Sequence, residues 1–256
     1  MALGEAGFRT VLVDQSHGDE TRRLVADVPG LAYLTSGPGL SRGRNAAVAA
    51  TSQELIAFTD DDVSLPEGWL ERLVAVFDAE PAAGAVCGRG VTPTGSLLPG
   101  RDAGVYRFPT NPFGLGSGFN LAFRRAALDE AGAFDEQLGA GATFPAGEDT
   151  DMLYRVMRAG WAVVCSDDVT VTHHEWRGAG EELRLHYGYG LGAGAQTARL
   201  VAEGDRTAAR VALAEARKHL VTLLVATLTL RLRVARLQPP FLAGLVAGYL
   251  RRAMRS

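Results

Sequence analysis

The sequence predicts an α/β layered domain followed by a C-terminal helical tail. Three observations carry that prediction. Short apolar runs ending in carboxylates alternate with helix-spaced apolar stripes over the first two-thirds of the chain. Stretches rich in glycine and proline, without any period, separate them. The formal net charge of −3 also hides a division of charge. From Arg206 onward ten Lys and Arg face one acid, Glu215, whereas the residues before hold 16 bases and 28 acids. The division places a body at residues 1–205 and a basic amphipathic helical tail at residues 206–256.

With 256 residues, 47% hydrophobic and 21% charged, the chain is long enough for one large layered domain. Cys87 and Cys165 lie far apart and beside valines. They give neither a disulfide framework nor a metal-ligand spacing, so both read as small core residues in a reduced compartment. The N-terminus shows no basic segment followed by an apolar core, so no secretory signal is expected. No apolar run reaches the roughly 20 residues that span a bilayer. The acidic body, and a tail without interleaved aromatics, argue against nucleic-acid binding.

Phe8 to Asp14 reads as a strand ending in a carboxylate, with Gln15 to Thr21 a polar loop that caps a helix. Gly37 to Asn45 is loop chemistry leading into a small-residue helix, Ala46 to Thr51. Leu55-Ile56-Ala57-Phe58-Thr59-Asp60-Asp61-Asp62 then reads as a strand covered on both faces and ending in three carboxylates. Adjacent carboxylates repel, so they need a cation, donors or open water. A cation points to a divalent metal; open water would make the stretch a solvated acidic turn.

Trp69, Leu70, Leu73, Val74 and Phe77 keep helical spacing, and Ala85 to Gly88 is a strand. Gly95 to Gly118 is expected to be a long loop over the site. Phe119 to Phe123 returns to a strand, with a helix from about Arg125 to Ala131. A second glycine-rich loop, Gly139 to Gly147, runs into Glu148-Asp149-Thr150-Asp151 and a stripe of Met152, Leu153, Val156 and Met157, closed by Gly160. Trp161 to Val164 and Val169 to Thr172 read as two strands, the latter running into His173-His174. In the tail, Val211 to Leu237 is strongly helix-forming, Pro239-Pro240 breaks it, and Phe241 to Leu250 is a second apolar segment. Apolar stretches flanked by arginine suit an interface with a membrane, and equally a helix pair packed on the domain or in a dimer.

The stretches VLVDQS, GLSRGRNAA, IAFTDDDV, GSGFNLAFRR, GEDTDMLYRVMRAGW and VTVTHH occur in this order between Phe8 and Arg177. In order and spacing the chain resembles the inverting family-2 glycosyltransferases, whose fold is the GT-A nucleotide-diphospho-sugar transferase layer with a mixed sheet. The resemblance implies a metal-dependent transfer of a sugar, with inversion, from a nucleotide-diphospho-sugar donor to a hydroxyl of a glycan or lipid-linked acceptor. It implies Mn²⁺ or Mg²⁺ as cofactor, with Asp62 and His173 as metal ligands; the Val-x-His spacing favours His173 over His174. It places Asp14 at the nucleotide base, Asp60 near the ribose, and Arg44, Asp61, Asn120 and Glu148 about the donor. Asp149 becomes the general base that deprotonates the acceptor hydroxyl. Acids at a helix start also serve as caps, so one carboxylate of the Glu148-Asp149 pair can cap while the other reacts.

One departure stands out. Relatives begin with a further strand and helix whose strand end touches the nucleotide, while this chain starts at what would be the second strand. A sheet so shortened is expected to leave an unpaired edge. That opens an alternative reading, a truncated, non-catalytic GT-A-like scaffold module at a membrane surface. The tail places the protein in the cytoplasm, peripheral at the inner face of the cell membrane, with a homodimer as the other use of the same helices.

Overall fold

The computed structural model describes residues 8–174 and 180–255. Its first strands form a small sheet of their own: β1 (Thr10–Asp14) and β2 (Leu31–Thr35) pair in parallel, joined through α1 (Glu20–Val25). The chain then enters α2 (Leu40–Ala49). This helix starts six residues earlier than the small-residue run suggested, directly after Gly39. Its first turn is docked on a distant loop: Leu40 N–H donates to Ala140 O at 2.9 Å, and Ser41 Oγ–H donates to Leu138 O at 2.7 Å.

The main sheet has six strands: β3 (Leu55–Phe58), β4 (Val63–Ser64), β5 (Ala83–Val91), β6 (Gly104–Tyr106), β7 (Leu121–Arg124) and β8 (Ala162–His173). Their order is β3-β7-β5-β8-β4, with β6 also on β8. Only β5 and β8 run parallel, so the sheet is mixed as expected. Strand β3 is an edge. Ile56 and Phe58 are buried while Ala57 is exposed, which corrects the expectation of a strand covered on both faces. Four apolar residues are too few to tell a one-faced edge strand from a fully buried one.

Alternation along the strands sorts two cores. Ala85, Cys87, Leu121, Phe123 and Val163 face α4 (Arg125–Ala131) and α5 (Glu148–Arg158). On that side Phe58, Phe123 and Phe134 meet edge to face. Val86, Ala122, Val164 and Val171 face α3 (Trp69–Ala79) through Trp69, Leu73 and Phe77. Each fully buried side chain of this kind stabilises by about 1.5–3 kcal/mol, so the helix–sheet–helix sandwich rests on these rows.

Strand β8 also differs from expectation. It runs unbroken from Ala162 to His173, where two strands were read. The register against β5 slips between Gly88 and Arg89, whose partners are Ser166 and Thr170. The polar Ser166-Asp167-Asp168 interruption is thus a bulge within one strand.

The C-terminal helices are α6 (Glu182–Ala202), α7 (Arg206–Leu228), α8 (Leu232–Ala235) and α9 (Gln238–Ala253). Helices α6 and α9 pack backbone to backbone. A Cβ on Gly190 or Gly194 would fall on the carbonyl oxygens of Phe241 or Leu245, and one on Gly244 or Gly248 on those of Tyr187 or Leu191. Only glycine permits so close an approach. The prolines expected to break the tail instead open α9, where their missing N–H groups cost nothing. No described helix is long and apolar enough to cross a membrane.

Candidate active site

The site residues gather where strands end. Asp14 closes β1, and its carboxylate accepts from Tyr33 O–H at 2.6 Å and from Ser16 N–H at 2.8 Å. The tyrosine bond first, then the backbone bond, hold this carboxyl down at about 2. Asp14 is therefore ionised and fixed in direction, as a ligand-reading acid needs to be.

Asp60, Asp61 and Asp62 follow β3, and β4 then pairs with the end of β8, Val63 opposite His173. That pairing sets the Asp62 carboxylate against the imidazole, with Oδ1 to Nε2 at 3.4 Å. Asp62 Oδ1 and His173 Nδ1 are both buried and make no hydrogen bond among the described residues. The His173 ring lies on Phe119 at 4.6 Å between centroids, while His174 turns to Ser64 Oγ at 2.8 Å. Asp61 is exposed.

One guanidinium links the two acidic groups of the site. Arg44, from α2, is buried and donates to Glu148 Oε1 at 3.1 Å. Its plane sits over Phe58 and Phe134, both at 5.6 Å. It approaches Gly118 so closely that a Cβ there would strike Nη2, an atom with no bond among the described residues. Its charge also acts on Asp60, whose carboxyl burial pushes up, Arg44 pulls down and Asp62 pushes up again. Burial first, then the Asp149 charge, raise the Glu148 carboxyl to about 7, against the pull of Arg44. Glu148 thus holds its proton more tightly than an ordinary carboxyl.

Asp149 stands in the first turn of α5, half-buried, after the left-handed Gly147. Its Oδ1 accepts from Thr150 N–H at 2.7 Å, which orients the carboxylate. Its charge is felt by the Cys87 thiol on β5. Cys87 and Phe119 both line a small cleft with Gly116, Ser117, Cys165 and Ser166. Asp151 is fully buried and takes Arg155 and Arg199, so it is a structural anion.

Asn120 does not fit the donor contact expected of it. Its amide donates to Arg89 O at 2.9 Å and Val169 O at 2.8 Å and accepts from Trp69 Nε1–H at 3.3 Å. At 1% exposure it clamps β5, β8 and α3 together, with no face open to a ligand. Several site residues went unread in the sequence. Tyr33 sits on β2, a strand too short to show alternation, and Asn45 exchanges two bonds with the Phe134 backbone. Phe119, inside the GSGFN stretch, carried a signal: an aromatic next to glycines at a strand start. The last matched stretch, VTVTHH, ends at His174, and the end of the resemblance at about Arg177 lies outside the described residues.

The residues present can take a divalent cation. One buried carboxylate oxygen without a bond faces one imidazole across 3.4 Å, a donor pair suited to a hard or borderline metal. No third His, Cys, Asp or Glu joins them among the described residues.

Comparison with known proteins places these features in context. Residues 4–130 match the family described as Glycosyl transferase family 2. The chain is 28% identical over 188 residues to a pre-mycofactocin glycosyltransferase of Mycobacterium tuberculosis, a match covering 67% of this chain and 38% of that protein. It is 29% identical over 172 residues to an uncharacterized glycosyltransferase of Mycobacterium bovis, covering 64% and 74% of the two chains. The chain thus spans well under half the length of the first of these relatives. Among solved structures it resembles the mannosyltransferase PcManGT of Pyrobaculum calidifontis in complex with GDP-Man and Mn²⁺. The TM-score is 0.60 at 18% identity, over 94% of this chain and 77% of that one. It also resembles residues 1–349 of TarS from S. aureus, with a TM-score of 0.52 at 16% identity over 73% and 55%. These likenesses establish the fold as GT-A.

Proposed function

We propose, from the premise that the chain belongs to glycosyl transferase family 2, that it transfers a sugar from a nucleotide-diphospho-sugar to a hydroxyl of a glycan or lipid-linked acceptor, with inversion and with a divalent metal. The observation that carries the reading is the meeting of Asp62 and His173 at 3.4 Å. Residues 111 apart in the chain end side by side, each with an unsatisfied buried atom.

In this reading Asp62 and His173 would hold Mn²⁺ or Mg²⁺, which would supply positive charge beside the donor's diphosphate; the PcManGT complex with Mn²⁺ lends this support. Asp14, fixed by Tyr33, accepts from the nucleotide base. Asp60 lies toward the ribose, with Asp61 at its exposed flank. Arg44 holds Glu148 against the start of α5 and so sets the direction of its neighbour. Asp149, oriented through Oδ1 by Thr150, receives the acceptor proton on Oδ2 as the hydroxyl attacks opposite the leaving group. The tail extends the proposal to a place, peripheral at the inner face of the cell membrane, with homodimerisation as the competing use of its helices.

The test is a thermal-shift panel of UDP-, GDP- and dTDP-sugars with Mn²⁺, followed by product analysis of anomeric configuration. A native-state ligand at 100 times its Kd stabilises by about 2.7 kcal/mol. A flat melting temperature across the panel counts against the reading. Donor binding without transfer to any acceptor would favour the scaffold alternative.

A further inference from the structure

Helix α7 is amphipathic with its faces reversed. The side turned to the protein holds Ala208, Ala212, Glu215 and Ala226. The side turned to solvent holds Leu220, Val221, Leu224, Val225 and Leu228, the last 74% exposed. Beyond it the chain turns at Leu230, a leucine in the left-handed region (φ 57°) and 80% exposed, followed by exposed Leu232. A leucine in the left-handed region costs about 1–2 kcal/mol. Each large apolar side chain left in water forgoes about 1.5–3 kcal/mol. A run of seven on one crest is larger than lone exposed leucines, which need no explanation.

The charge around this crest has one sign. Arg210, Arg217, Lys218, Arg231, Arg233 and Arg236 are exposed around it. No acid occurs after Glu215, and Glu215 is itself buried, held by Asn111, Lys218 and His219. Those bonds outweigh its burial and keep it ionised down to about 2. Arg233 and Arg236 share a single carboxylate, Glu182. A symmetric pair of copies meeting through this face would bring like charges together, the nearby carboxylates Glu182 and Glu215 being already engaged by Arg233, Arg236 and Lys218. An anionic surface meets the same cations favourably.

We propose that the crest from Leu220 to Leu232 seats the protein on an anionic lipid leaflet, its leucines and valines at the acyl boundary and its arginines among the phosphate headgroups. This specifies the membrane contact named above and rests on that reading of the tail, not on the sugar chemistry. The helical part of the crest, from Leu220 to the end of α7 at Leu228, rises roughly 14 Å, less than half of the roughly 30 Å bilayer core, so it suits a place in the plane of the leaflet. Asn111, in the loop over the cleft, donates to Glu215 Oε2 at 2.8 Å, so the loop is tied to the helix that meets the lipid.

The test uses the full chain and two kinds of sucrose-loaded vesicle, phosphatidylcholine alone and phosphatidylcholine mixed with phosphatidylglycerol. Wild type should sediment with the anionic vesicles, at least tenfold more tightly than with neutral ones, and be released by salt. The double variant Leu224→Glu/Leu228→Glu, altered only at exposed positions, should keep its melting temperature and lose at least tenfold in vesicle affinity. Wild type that ignores both vesicles, or a double variant that binds as well, overturns the proposal. So does a concentration-dependent dimer in sedimentation velocity that the double variant abolishes, since the crest would then face a second copy. Donor-induced stabilisation with Mn²⁺, measured without vesicles, separates the two readings: its loss bears on the transferase, not on the lipid contact.

Discussion

The six-stranded sheet and the C-terminal helices solve the packing problem in opposite ways. In the sheet, large side chains such as Phe123, Phe77 and Met157 point inward and the backbones stay about 10 Å from the helices. Between α6 and α9 the inward residues are glycines, the backbones touch, and large side chains are left outside. The first arrangement brings the acidic end of β3 and the start of α5 to one guanidinium, Arg44. The second gives a thin, rigid layer whose outer surface is apolar and basic. On the proposals above, the first region carries the chemistry and the second the membrane contact.

The hardest test of that division is Asp149→Asn. It should lower transfer about 10²–10⁴-fold while leaving donor-induced stabilisation and tail packing intact; steady-state rates beside thermal shifts read both. Asp151→Asn, two residues on, should do the reverse. It leaves Arg155 and part of Arg199 buried without their anion, and such losses cost about 3–5 kcal/mol. Urea unfolding would show it, and normal stability with lost transfer would blur the division. Gly194→Ala puts a methyl on the Leu245 carbonyl and should cost about 1–3 kcal/mol, read as a lower urea midpoint. An unchanged midpoint would mean that α6 and α9 separate easily.

A smaller effect follows pH. The folded Glu148 carboxyl titrates at about 7, above its ordinary range near 4.5. A raised acid favours the folded state below its unfolded value, and that contribution is lost as pH rises through about 7. Melting temperatures of wild type should therefore fall between about pH 4.5 and 7 relative to Glu148→Gln, with the difference flat outside that window.

The same contrast explains what could be read in advance. Strand ends were legible, because an apolar run meeting a carboxylate marks its own boundary, as at Asp14 and Asp60. The stripe Met152, Leu153, Val156 and Met157 announced α5 for the same reason. The meeting of Asp62 with His173 follows from β4 pairing with β8, which the sequence showed only through the resemblance. Helix α6 was invisible, since glycines at 188, 190, 192 and 194 argue against a helix unless a partner backbone fills the space they leave. Asn120 was misjudged because a polar residue beside a cleft looks the same in sequence whether it serves a ligand or three neighbouring strands and helices.

The guanidinium of Arg44 pulls on two carboxyl groups that burial raises, Asp60 and Glu148. A charged molecule settling beside Glu148, raised to about 7, should alter how many protons it retains near neutrality. The heat recorded in a titration calorimeter should then vary with the ionisation enthalpy of the buffer, and the slope of that dependence counts the protons exchanged.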